Sequence, residues 1–241
     1  MRRFRYLDAL TTAFVVILLV SNLLAQKIIR FGPIHLFGTV TIPVISTSGI
    51  IILFPVMYIF GDVFTEVYGY ASSRRAIWLG FFGTALLYGV AAIVIALPSD
   101  PDFHNQQAFV AVFGILPRIF IASLIAYWAG EFANSYTMAK LKLLTKGRWL
   151  WTRTVGSTIV GQLVDTVLVV VLMFAGTYSK RTMMMVIVAD YAMKVLYEVF
   201  ATPLTYAVIG WLKRAENVDA FDLHTDFNPF RFGDAKNAKR A

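Results

Sequence analysis

Ile59-Phe60-Gly61-Asp62-Val63-Phe64-Thr65-Glu66-Val67-Tyr68-Gly69-Tyr70 decides how the rest of the chain reads. It lies in a run whose other residues are mostly apolar, the pattern of a helix inside a bilayer. Asp62 and Glu66 are four residues apart, one helical turn, and so share a face. A carboxylate near the centre of a bilayer costs about 2.5 kcal/mol or more. Two on one face therefore imply a protein-lined interior, and the remaining segments read as what surrounds it.

Composition agrees. The 241 residues are 58% hydrophobic and 15% charged, and the mean hydropathy is +0.67. Soluble domains are about a quarter charged, so the chain is expected to be an integral membrane protein of the all-α class. It has no cysteine, which excludes disulfides and thiolate metal sites. His35, His104 and His224 are scattered, so no metal and no cofactor are expected.

Six transmembrane helices are expected, in a single domain over 1–212, with a polar cytoplasmic tail over 213–241. The spans are 7–29, 48–70, 75–97, 109–136, 154–176 and 183–212. The basic start at Arg2-Arg3-Phe4-Arg5 could open a signal peptide, but no small-residue cleavage site follows. Residues 30–47, with Gly32-Pro33 and Gly38, read as a short hairpin or partly inserted loop, too short to span. Pro55 is expected to bend the second helix. Residues 138–153 read as a basic loop.

Orientation follows from Lys and Arg. Lys27, Arg30, Lys180 and Arg181 fall on one side, and Arg118 and Lys194 lie at membrane depth. The rest of the 22 cations fall on the other side, which is expected to be cytoplasmic and to hold both termini. The same asymmetry accounts for the net charge of +8 without nucleic acid.

Every expected span except the third offers polar groups at depth: Asn22 and Gln26; Asp62 and Glu66; Arg118 and Glu131; Gln162 and Asp165; Asp190, Lys194 and Glu198. Each has a plainer reading. Lys194 can be an intrahelical partner of Asp190 or Glu198, and Asp62 a helix-packing hydrogen-bond partner. Asn22 and Gln26 can bond helix to helix. Together they exceed what packing needs, and carboxylates outnumber cations. Trp149, Trp151 and Trp211 have the positions of belt residues.

Several pieces resemble the queuosine-precursor transporter family, once grouped as vitamin uptake transporters. They are Ser21-Asn22 with Ala25 and Lys27; Gly61-Asp62-Val63-Phe64-Thr65-Glu66-Val67-Tyr68-Gly69; and Arg118 with Ala122-Ser123. Arg153 with Ser157, Gln162 and Asp165-Thr166 follow, then Tyr191, Lys194, Glu198 and Thr202-Pro203. The segment Val218-Asp219-Ala220-Phe221-Asp222, with Phe227-Asn228-Pro229-Phe230, is similar to the family's ending. The resemblance implies a six-helix fold similar to the substrate-binding subunits of energy-coupling-factor importers. It also implies import of 7-cyano- or 7-aminomethyl-7-deazaguanine across the bacterial inner membrane, for queuosine modification of tRNA.

A 7-deazaguanine presents a ring N–H and an exocyclic amine side by side, which one carboxylate can accept in bidentate fashion. The expected substrate-binding residues are Asp62, Glu66, Asp165, Lys194 and Glu198, then Asn22, Arg118 and Gln162. The expected partners are this small molecule and the lipid bilayer; a homodimer is compatible with so small a membrane protein. No Gly-x-x-x-x-Gly-Lys-Ser/Thr motif occurs, so the chain does not hydrolyse nucleotide by that route. Two alternatives stand beside a solitary transporter. One is a binding subunit for another vitamin-like solute that needs a separate ATPase partner. The other is an intramembrane aspartyl enzyme built on Asp62 and Asp165, which lacks the companion Tyr-Asp motif.

Overall fold

The computed structural model describes residues 4–24, 27–31, 34–36, 40–42, 45–48, 52–114 and 117–231. Ala25, Gln26 and the basic end at 232–241 lie outside them.

Seven helices run through the described residues. They are α1 (Leu7–Leu24), α2 (Phe54–Tyr68), α3 (Tyr70–Ala96), α4 (Gln106–Phe113), α5 (Pro117–Leu144), α6 (Leu150–Phe174) and α7 (Lys180–Glu216). Between α1 and α2 lies a nested hairpin. Its outer strands β1 (Ile28–Phe31) and β4 (Ile45–Ser48) pair antiparallel, with Ile28 opposite Ser48. Its inner strands β2 (Ile34–Leu36) and β3 (Val40–Ile42) pair the same way, with Ile34 opposite Ile42. The expected hairpin is thus present.

Among the described residues, four stretches are long and apolar enough to cross a membrane: Leu7–Leu24, Tyr70–Ala96, Gln106–Leu144 and Leu150–Phe174. Their outer faces are bare hydrocarbon. Leu86 is 67% exposed and Ile93 64%, a surface that only lipid makes favourable. Helix α2 has 15 residues, about 22 Å at 1.5 Å per residue, and is too short to span alone. Helix α7 has 37 residues but carries ionisable residues along its length.

Several boundaries differ from the expected ones, each for a local reason. Pro55 does not bend α2; it sits in the first turn, where its missing N–H costs nothing. The fourth apolar run is broken at Gly114 and restarts at Pro117, because proline cannot continue a helix but readily begins one. The basic segment 138–153 is mostly helical. α5 runs to Leu144 and α6 begins at Leu150, so Lys142 and Arg153 lie on helices and are buried. α2 and α3 are separated only by Gly69, at φ +84°.

The packing rests on small residues and on the chain ends. α5 and α6 approach closely at Gly130 and Gly161: a Cβ on Gly130 would lie 2.7 Å from the Asp165 Cβ, and one on Gly161 2.6 Å from the Asn134 Cβ. A hydrophobic core of Phe14, Val63, Phe64, Val67, Tyr68, Ile209 and Leu212 joins α1, α2 and α7. Glu216, ending α7, accepts from the backbone N–H of Arg5 at 3.0 Å and of Tyr6 at 2.7 Å, at the start of α1. Helix N-termini leave amides unpaired and favour an anion, so Glu216 is a cap brought from the far end of the chain.

The segment after α7 folds back instead of trailing away. Asp222 accepts from the Tyr70 N–H at 3.0 Å and caps α3. Arg74 donates to the carbonyls of Asp226 and Asn228, and Trp78 to that of Pro229. Lys140 lies 4.1 Å from the centre of the Phe227 ring.

Candidate functional site

The polar groups fall into distinct clusters, and the one at the α2–α7 contact is the candidate site. Gly61-Asp62 places a carboxyl on the inner face of α2, where Asp62 is 1% exposed. Glu198 enters from α7 and is fully buried. The two carboxyls interact directly, and Thr158 of α6 lies beside Glu198. Even so, Asp62 Oδ2 and both oxygens of Glu198 have no hydrogen-bond partner of good geometry. From α5, Glu131 Oε2 lies 3.6 Å and Asn134 Nδ2 3.8 Å from where a Cβ on Gly61 would sit. Asn134 Oδ1 is also without a partner. Among the described residues, neither Lys nor Arg forms an ion pair with Asp62, Glu131 or Glu198. Buried acceptors are ordinarily satisfied, and each left unmade costs about 1–3 kcal/mol. α7 is interrupted nearby: Pro203 cannot donate to the carbonyl four residues before it, and Thr202 Oγ1 donates to the Glu198 carbonyl at 2.7 Å.

Glu66, one turn after Asp62, is in the opposite condition. Arg153 of α6 grips it with a fork, Nε to Oε2 at 3.0 Å and Nη2 to Oε1 at 2.8 Å. Lys213 of α7 adds a contact at 2.6 Å. Lys142 of α5 donates to the Glu66 backbone carbonyl at 2.6 Å and, with Lys213, pairs with Asp219. Burial pulls the Asp219 carboxyl upward, but hydrogen bonds from Lys142 and Lys213 outweigh it and hold the group below the usual carboxylate range. This network ties α2, α5, α6, α7 and the returning tail at one end of the bundle. Both oxygens of Glu66 are committed to it.

A third cluster joins α6 to α7. Lys194 bridges Asp165 at 2.9 Å and its own-helix partner Asp190 at 3.0 Å, with Thr166 beside it. Gln162 lies half-buried one turn before Thr166. The remaining expected residues sit elsewhere. Arg118 donates to the carbonyls of Leu172 and Ala175 and caps the end of α6 from an exposed position. Asn22 donates to the Leu18 carbonyl at 3.0 Å and lines a separate cleft of about 70 Å³ with Thr84, Tyr88 and Tyr127. The structure therefore joins Asp62 to Glu198 and Asp165 to Lys194, and keeps Glu66, Asn22 and Arg118 out of that company.

Sequence reasoning did not foresee Asn134 in the candidate site, nor Lys142, Lys213 and Asp219 in the Glu66 network. Asn134 follows Gly130 by one turn, and the close approach of α5 to α6 that this glycine permits is the one signal for it. Nothing local marks Lys142, because its partners are 76 and 77 residues away.

A polytopic helical bundle with lipid-exposed walls and unsatisfied carboxyls sealed inside it defines a class, the membrane proteins that pass polar solutes. The comparisons agree. Residues 47–208 match the family described as "Putative vitamin uptake transporter", and the chain belongs to that family. A protein of Bacillus subtilis (strain 168), described as "Probable queuosine precursor transporter", is 29% identical over 158 residues, covering 65% of this chain and 69% of its own. No solved structure matches.

Proposed function

We propose that the protein imports 7-deazaguanine precursors of queuosine across the bacterial inner membrane, and that Asp62 and Glu198 hold the base. The observation that carries this reading is the buried pair whose outward oxygens lack partners. A deazaguanine supplies what they lack, two adjacent N–H donors matched to one carboxylate. A site of this kind rejects analogues without those donors, because its own groups would stay unpaired. The relative from Bacillus subtilis, with its printed description, favours this substrate class.

In the same reading the protein crosses the bilayer six times, through α1, α2, α3, α5, α6 and α7, with α2 crossing as part of the expected 48–70 span. The hairpin that follows α1 brings the chain to the start of α2 on the same side. Both termini are cytoplasmic. The starts of α1, α3 and α6 and the ends of α2, α5 and α7 then share the side rich in Lys and Arg. The proposed fold is similar to the binding subunits of energy-coupling-factor importers, and two copies can pair as a homodimer; a binding subunit for another vitamin-like solute, serving an ATPase partner, is the second reading. The aspartyl-enzyme reading loses its dyad, since Asp165 is paired with Lys194 and the neighbour of Asp62 is Glu198.

The test uses cells that cannot make queuosine precursors. They are given precursor at limiting concentration, and queuosine is measured in their tRNA. The intact protein restores it and Asp62→Asn does not. Absence of rescue by well-expressed protein overturns the proposal.

A further inference from the structure

The charge ledger of the interior is uneven. The Glu66 network places Arg153, Lys142 and Lys213 against two carboxylates. Lys194 is held by Asp165 and Asp190, and Arg118 by backbone carbonyls. Every cation named among the polar groups is thus engaged elsewhere. Asp62, Glu131 and Glu198 gather near α2 with Asn134, and four acceptor atoms there lack a hydrogen-bond partner: Asp62 Oδ2, Glu198 Oε1 and Oε2, and Asn134 Oδ1; the Tyr58 hydroxyl lies in the same acidic surroundings. Asp62 and Glu198 are buried neighbours, and like charges in such a setting repel strongly. A neutral base satisfies the hydrogen bonds but leaves the second carboxyl without a counter-ion. An ammonium group on the ligand supplies both donors and charge.

We propose that the Asp62–Glu198 pair includes a cation subsite, so that the site selects the 7-aminomethyl base, which carries an ammonium group, over the uncharged 7-cyano base. One carboxyl accepts the ring N–H and exocyclic amine, and the other holds the ammonium. Asn134 Oδ1 is placed to accept a further N–H. The inference rests on the proposed transport of these bases and specifies which of them the site favours.

The experiment measures initial uptake of each labelled base into cells lacking precursor synthesis, with membrane levels of each variant checked by immunoblot. The intact protein takes up the aminomethyl base ~10- to 100-fold more efficiently than the cyano base, the range of one charge-assisted hydrogen bond. The isosteric Glu198→Gln lowers uptake of the aminomethyl base by more than that of the cyano base and so abolishes most of the preference. Asp62→Asn, the second variant, lowers the ratio or removes uptake of both bases, according to which carboxyl grips the ring. Equal uptake of the two bases by the intact protein overturns the cation subsite and leaves the transport reading standing. An unchanged ratio in both variants does the same. Uptake of neither base by protein present in the membrane overturns both.

Discussion

Asp62 and Glu66 are a single turn apart, yet substitution should separate them cleanly. Glu66 is the anion that neutralises Arg153 and Lys213, and Lys142 lies 3.4 Å from it. Glu66→Gln leaves those cations buried without it. Breaking a buried pair from one side costs about 3–5 kcal/mol, so the variant should show a markedly lower melting temperature in detergent. Asp62→Asn should behave in reverse. It removes a carboxyl from a crowded acidic cluster and breaks no ion pair. Its melting temperature should be equal to or above that of the parent, while uptake falls by at least ~10-fold, the loss expected when a charged hydrogen bond to a ligand goes missing. Equal loss of stability in both would remove Asp62 from the site. The sequence made this pair conspicuous but could not divide its roles. Spacing places both carboxyls on one face, whereas their partners on α5, α6 and α7 depend on how the helices meet.

At the scale of elements, the junction of α2 and α3 is the most exacting. Gly69 has φ +84°, and a Cβ there would lie 3.2 Å from Asp222 Oδ1. Gly69→Ala should cost about 1–3 kcal/mol from the backbone alone, since φ +84° with ψ 166° is a conformation essentially reserved for glycine, with more from displacing the carboxyl that caps α3, and thermal melting would measure it. Asp222→Ala should cost about 1 kcal/mol by losing that cap, without strain. The long helices were legible, because long apolar runs admit little else inside a bilayer; the short α4, cut from the expected 109–136 span, was not. Helix ends were not. Charge suggested a loop at 138–153, but Lys142 and Arg153 are helical and buried because acidic partners from α2 and the tail wait for them. The returning segment 217–231 was equally hidden: its bonds to Tyr70, Arg74 and Trp78 span about 150 residues of sequence.

For the whole molecule, acid should loosen the end of the bundle where the chain closes. Asp219 is held below its ordinary range by Lys142 and Lys213. A carboxyl depressed in the folded state contributes in full above its unfolded value, near 4, and the contribution is lost as pH falls through the folded value. The melting temperature should therefore drop on acidification below about pH 4, and Asp219→Asn should drop less over the same interval. Topology is testable in the same molecule, since the chain has no cysteine of its own. With the proposed orientation, a single cysteine at Ser99 should react with an impermeant reagent added outside intact cells or spheroplasts. One at Lys146 should react only after the membrane is opened. The reverse pattern would invert the assigned orientation.

The cap that Glu216 places on α1 has a consequence for synthesis. Arg5 and Tyr6 leave the ribosome first, and the carboxylate that completes their helix arrives 211 and 210 residues later. Throughout translation the first span sits in the membrane with its amide end open, and it closes only when the last span is in place. A nascent chain stopped short of Glu216 lacks the carboxylate that caps the start of α1 and leaves those two amides open.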